Sequence, residues 1–332
     1  MFLALLLAAP VVALLGSIQT VVQPLPQETT QPKTPVQPQT EDQPTEQHAL
    51  AEELGFGIDQ TRMTVPVEIG DDGPFPFIVD TGSERTVLSQ ELATRLQLSP
   101  GPRVRVTAMA GTVPVGTVLV PMIVVGSPKV GAHLTGSRIE APVLFERHLG
   151  ASGLVGIDTL QGKSIQIDFA RNVMTVTPAT RRTRLERFGR DDIVIRAKNL
   201  FGQLVVTDAR YGGQRIRVVI DTGAVVSMGN IALQRLVAKS SGPMTSVSLL
   251  SVTGATLQAQ YSIVTGVKIG EIELANLPIA FSDAAPFTRL GLADRPALLL
   301  GMDALQLFGQ VRIDFVNREL HLARPKKAPA RL

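Results

Sequence analysis

The sequence says most things twice. The stretch IGDDGPFPFIVDTGSERTVLSQELATRLQL (69–98) returns as RYGGQRIRVVIDTGAVVSMGNIALQRLV (210–237). Each copy holds a turn, a short apolar run, Asp-Thr-Gly and a helical segment whose first turn follows Ser89 or Asn230, residues suited to cap a helix. Asp80 and Asp221 are 141 positions apart, and so are Ser89 and Asn230. A second block, GLVGIDTLQGKSIQIDFARNVMTVTP (153–178), returns as LLLGMDALQLFGQVRIDFVNRELHLARP (298–325), with its glycines Gly156 and Gly301 separated by 145. A register that drifts by so little across half the chain means two homologous halves, and the fold must accommodate both.

Period-2 alternation runs through VRVTAMAG, SIQIDF and QVRIDF, while 3.6-residue periodicity is confined to short pieces. Between the repeated blocks each half carries a strand-rich stretch with a glycine at a hairpin tip, around Gly111 and Gly254. With 29 Gly, 23 Pro and few aromatics, the chain favours many short strands joined by turns. The expectation is an all-β, bilobal protein, with two homologous β-barrel-like lobes of about 130 residues and short helices. The boundaries read as an N-terminal lobe at 51–178, a basic interlobe linker at 179–190, a C-terminal lobe at 191–325 and a basic tail at 326–332.

Residues 2–16 carry no charge, which matches the apolar part of an export signal and falls short of a simple membrane span. No basic residue precedes them, and extension to Val22 would allow an uncleaved anchor. Residues 1–22 are therefore expected to be a signal peptide or an N-terminal anchor. The Pro/Gln/Thr-rich segment 23–50 has no apolar period and reads as a disordered spacer. The protein is expected to be exported, periplasmic or secreted, with an N-terminal membrane tether left open. Cysteine is absent, which excludes thiol catalysis and disulfides. The net charge is only +3, and its basic runs read as linker and tail, so no nucleic-acid partner is expected.

The chemistry concentrates at Asp80 and Asp221. Each follows a buried-type strand, where an isolated ionised carboxylate is unfavourable without a partner. If the halves pack about a pseudo-two-fold axis, each aspartate is the other's partner. Two carboxyls in contact share one proton and titrate as a unit. The charged member can then take a proton from water while the protonated member polarises a carbonyl. Gly82 and Gly223 let backbone N–H groups approach the carboxylates, and the Thr81 and Thr222 hydroxyls can bond across to the other half's backbone.

With these residues in place, the sequence resembles the pepsin-like and retropepsin-like aspartic proteases, in particular bacterial exported members, over residues 58–324. The resemblance implies a substrate cleft between lobes, Asp80 and Asp221 as the catalytic pair, and Thr81, Gly82, Ser83, Thr222, Gly223 and Ala224 as the supporting loops. It places flaps at Ala110, Gly111 and Thr112 and at Thr253 and Gly254. It further implies an aspartic endopeptidase acting on extended polypeptides, with no cofactor or metal, and with a single chain sufficing, hence a monomer. The alternative is a catalytically silent relative that keeps the cleft for peptide binding or scaffolding. Two departures stand out. The pepsin flap tyrosine has no counterpart, since Tyr211 and Tyr261 are the only tyrosines. Ser83 is also matched by Ala224; a Ser83 hydroxyl donating to Asp80 would make Asp80 the more acidic member and leave the proton more often on Asp221.

The other aspartates read as structural. Asp158 and Asp303 are expected to be helix N-caps, and Asp168 and Asp314 to anchor hairpin turns. The histidines lack metal-ligand spacing. GIDTLQGKS fails as a phosphate loop, because its glycines are one residue too far apart and its repeat lacks the lysine. No Gly-x-Ser-x-Gly elbow occurs.

Overall fold

The computed structural model describes residues 6–8, 52–55, 57–59, 62–127, 132–181, 193–200, 202–239 and 242–323. The leader apart from the strand Leu6–Ala8, the spacer 23–50, most of the basic linker and the basic tail lie outside the described residues. What is described is built mostly from strands, the majority short, with a few one- to two-turn helices, an all-β bilobal architecture.

In the N-terminal lobe, the strand Asp72–Val79 pairs in parallel with Gly153–Val155, which is antiparallel to Val87–Ser89. The C-terminal lobe repeats this arrangement with Gln214–Ile220, Ala297–Leu300 and Met228–Gly229. Both repeated blocks of the sequence therefore interlock within each lobe, with the strand that leads into Asp-Thr-Gly lying beside the apolar-apolar-Gly strand. The N-terminal sheet closes into a barrel through pairing of Arg62–Ile69 with the long strand Gly111–Ser127. In the C-terminal lobe that long strand is divided at Gly266 into Thr256–Val264 and Val267–Ile269, the second of which pairs with Gln203–Tyr211.

The Ile-Asp-Phe repeats meet each other. Lys163–Asp168 and Gln310–Asp314 are antiparallel neighbours, with Ile165 opposite Ile313 and Gln166 opposite Arg312. Glu52–Gly55 and Val173–Pro178 extend this sheet on one side, and Glu319–Ala323 and Ile193–Leu200 on the other. Ile165, Ile167, Val311 and Ile313 are buried beneath it. The lobes are thus joined by a shared sheet in which strands from both halves alternate side chains into one core.

Local chemistry explains the short helices. Ser89 and Asn230 have extended backbone and accept from the N–H of Leu92 and Leu233, as expected of N-caps. Asp168 and Asp314 brace their hairpins by accepting from Ala170 and Arg171, and from Val316 and Asn317. The N-cap expectation for Asp158 and Asp303 is corrected. The caps are Gly156 and Gly301, and both aspartates are the second residue of the helix, with their carboxylates turned toward the loop that follows Asp-Thr-Gly.

Candidate active site

Asp80 and Asp221 end the paired strands of their lobes, where the N–H of each donates to the neighbouring strand, to Val155 and Leu300 respectively, at 3.0 Å. Both carboxyls are fully buried, and they lie near enough across the lobe boundary for the charge of Asp80 to act on Asp221. Gly82 N–H donates to Asp80 Oδ1 at 2.8 Å. Gly223 and Ala224 N–H both donate to Asp221 Oδ1 at 3.1 Å. A Cβ on Gly223 would lie 2.3 Å from Asp80 Cγ, so the second loop's glycine is the surface against which the first lobe's carboxyl rests. Burial, and next the adjacent Asp80 charge, push the Asp221 carboxyl well above the ordinary carboxylate range; the N–H bonds from Ala224 and Gly223 oppose this. Two buried carboxyls side by side resist ionising together.

The threonines bind the two loops reciprocally. Thr81 N–H donates to Thr222 Oγ1 and Thr222 N–H to Thr81 Oγ1, each at 3.1 Å. Each hydroxyl then donates across the boundary, Thr81 to the Ile220 carbonyl at 2.9 Å and Thr222 to the Val79 carbonyl at 2.7 Å. A hydroxyl has one proton to give, so these four bonds use the donors of both hydroxyls completely.

Behind each loop stands a tier that the sequence did not single out. Thr86 and its repeat partner Ser227 accept from the N–H of Gly156 and Gly301 and donate to Asp158 and Asp303. A Cβ on Gly156 would come within 2.3 Å of the Arg85 carbonyl carbon, and on Gly301 within 2.9 Å of the Ala224 oxygen. Only glycine lets the strand pack this closely on the loop. Asp303 is raised by burial, with the Ser227 bonds opposing. The sequence signal was available in the equivalence of two hydroxyls under the repeat, but a lone Thr and a lone Ser carry no motif.

The Ser83 expectation is corrected in its bonding. Its hydroxyl donates to the Arg85 carbonyl at 2.6 Å, because the loop turns back on itself there and a local acceptor is nearer. The upward direction at Asp221 therefore has burial as its leading cause.

The residues expected at the flaps occupy hairpin tips. Met109 and Ala110 form the first turn, followed by Gly111 at φ 127°; Val252 and Thr253 form the second, followed by Gly254 at φ 84°. Both glycines use backbone conformations disfavoured for other residues. Each tip crosses to the opposite lobe. Met109, 1% exposed, lies in an apolar cluster with Val219, Met228, Phe287, Leu290 and Leu299 of the C-terminal lobe, and its carbonyl accepts from Ala285 N–H at 3.2 Å. Val252, fully buried, lies among Ile78, Val87, Leu144, Leu149 and Leu154 of the N-terminal lobe. An ion pair between Arg289 and Glu84 at 3.3 Å ties the Ala285–Arg289 helix to the first loop.

A sequence model of the family described as aspartyl protease matches twice, over residues 65–159 and 207–304, more than half of the chain and one Asp-Thr-Gly in each match. The chain belongs to the aspartyl protease family. The aspartyl protease repeat thus coincides with the two interlocked lobes. Among solved structures, the chain is similar to basic 7S globulin from soybean, at 10% identity and TM-score 0.41, over 82% of this chain and 94% of that one. It is also similar to a retropepsin-like aspartic protease from Rickettsia conorii, at 22% identity and TM-score 0.24, over 40% of this chain and 89% of that one. No curated protein sequence matches it.

Proposed function

We propose that the protein is an aspartic endopeptidase in which Asp80 and Asp221 activate a water to hydrolyse peptide bonds of extended polypeptides. The observation that carries this reading is the pairing of two fully buried carboxyls at the lobe boundary, one from each lobe, each aimed by the N–H of the glycine two residues on, with the Asp80 carboxyl resting against Gly223 of the other loop. The ionised carboxylate would take a proton from water as the oxygen attacks the carbonyl carbon. The protonated carboxyl, held at Asp221 by burial and by Asp80, would donate to the carbonyl oxygen. Proton return to the amide nitrogen would then release the two peptides, without a covalent intermediate. The two hairpin tips, Ala110 to Thr112 and Thr253 to Gly254, would close over the substrate, and one chain would suffice because it carries both aspartates.

The apolar leader and the Pro/Gln/Thr-rich spacer support an exported enzyme, periplasmic or secreted, with the leader serving as signal or tether. The test is digestion of a peptide library by the purified chain from about pH 3 to about 8, with and without a statine-type inhibitor. Cleavage within apolar-flanked extended peptides is expected. A folded protein that binds the peptides and leaves them intact would make it a peptide-binding relative.

A further inference from the structure

Gln203 is a polar side chain with no exposure, standing between the lobes where no repeat or motif marks it. It opens the C-terminal strand Gln203–Tyr211, and the Val205–Val219 pairing of that strand, carried two residues further, brings Gln203 level with Asp221. Its side chain nevertheless reaches the other lobe, where Nε2 donates to the Gly82 carbonyl at 2.5 Å. The turn before it is anchored on both sides. Asn199 accepts from Gly202 N–H at 2.9 Å, and Gly202 lies against Ile157 of the N-terminal lobe, where a Cβ would meet Ile157 Cγ2 at 2.9 Å.

Gly82 is thereby held at both of its peptide groups. Its N–H is fixed on Asp80 Oδ1 and its carbonyl on Gln203. Glycine has the softest backbone of any residue, so without the second anchor the loop could rotate and turn the N–H away from the carboxylate. Only an amide NH2 can face a carbonyl, which fixes the orientation of the side chain and leaves Oε1 buried with no donor among the described residues. A buried acceptor left this way is unfavourable, so the amide is poorly explained as a stabilising contact alone. A lysine or arginine could reach a carbonyl equally well, but a cation there would favour ionisation of both aspartates and expel the shared proton. An amide orients the loop and adds no charge.

We propose that Gln203 is a positioning residue of the dyad, a neutral donor from the C-terminal lobe that locks Gly82 and so fixes the Asp80 carboxyl for proton sharing with Asp221. This rests on the reading of Asp80 and Asp221 as a catalytic pair.

The experiment uses the full-length chain with Gln203→Met and Gln203→Glu, following kcat, KM and the pH profile on a cleaved peptide, with folding checked by circular dichroism at each pH. Gln203→Met is expected to lower kcat about 10- to 100-fold with KM changed less than about threefold. Gln203→Glu regains a donor when protonated, so its kcat is expected to approach the original value at acid pH. It then falls away while the protein stays folded, as the new carboxyl ionises against the Gly82 carbonyl. A folded Gln203→Met with unchanged kcat and pH profile overturns the proposal, as does a Gln203→Glu whose loss is equal at every pH. If neither variant folds, the side-chain amide resonance of Gln203 in the unmodified protein decides. A shift that follows the apparent pKa values of the aspartate pair supports the role, and a resonance indifferent to that titration overturns it. That resonance also separates this proposal from the enzymatic reading, because it needs no turnover.

Discussion

Thr81 and Thr222 each give an N–H to the other's hydroxyl at 3.1 Å and pass the hydroxyl proton on to a carbonyl of the opposite lobe. The pair therefore clamps the two Asp-Thr-Gly loops at the point where the aspartates meet. Thr81→Val or Thr222→Val is expected to leave a buried carbonyl, Ile220 or Val79, without its donor, at a cost of about 1–3 kcal/mol each. The serine variants should retain most of that stability. Because both residues share the same bonds, the double valine variant should lose less than the sum of the singles. Urea unfolding of the four proteins measures this; full additivity would mean the two threonines act independently.

Gly223→Ala should be more damaging to activity than any exposed-turn glycine change. The added methyl would sit 2.3 Å from Asp80 Cγ, and the opposing atoms belong to a fully buried carboxyl whose Oδ1 is already held by the Gly82 N–H. Peptide cleavage is expected to fall about 100-fold or more from the displaced geometry. Kinetics of the folded variant decide the matter, and a rate within a few-fold of the original would show that the loops have slack at this contact.

The hairpin tips predict their own dynamics. Met109 is buried in the C-terminal lobe's cluster, so Met109→Ala should weaken the closed arrangement by about 2–5 kcal/mol. Hydrogen exchange should accelerate by roughly two orders of magnitude across the hairpin around 105–113. Exchange in the shared sheet at 163–168 and 310–314 should not change. Uniform acceleration throughout the protein would instead assign Met109 to global stability.

Much of this was legible before any coordinates. The repeat named Asp80 and Asp221, the caps Ser89 and Asn230, and the turn anchors Asp168 and Asp314, because each depends on chemistry within a few residues of itself. What escaped needed knowledge of which equivalent elements touch. A repeat states that the Ile-Asp-Phe strands correspond, and it is silent on whether they pair; they do, Ile165 against Ile313. The glycines at the hairpin tips could be read from turn chemistry, while the crossing of Met109 and Val252 into opposite lobes follows only from packing. The caps expected at Asp158 and Asp303 lie two positions earlier, because capping depends on backbone conformation and Gly156 and Gly301 already hold the extended φ/ψ. Gln203 has no local signature at all.

The raised Asp221 carboxyl carries a stability consequence. The folded protein keeps that proton above the ordinary value of 3.8, where the unfolded chain has released it. The native state then binds more protons, so stability from this group is fully present below about that pH and falls as pH rises toward the native value. Asp303, also raised, acts in the same direction. Asp221→Asn removes one titration, so the stability advantage of the variant should widen with pH, by at most about 1.4 kcal/mol per pH unit. Urea midpoints across acid to neutral pH test it; a difference that narrows with pH would reverse the sign of the assignment.

The most direct measurement is kcat/KM for one good peptide substrate with the unmodified chain, Asp80→Asn and Asp221→Asn, each shown to be folded. Asparagine keeps the shape of the side chain and removes its ability to carry or release the shared proton. The account predicts that each single substitution lowers the rate by about a thousandfold or more, whichever lobe it falls in. A folded variant of either kind that cleaves at the original rate would contradict the account.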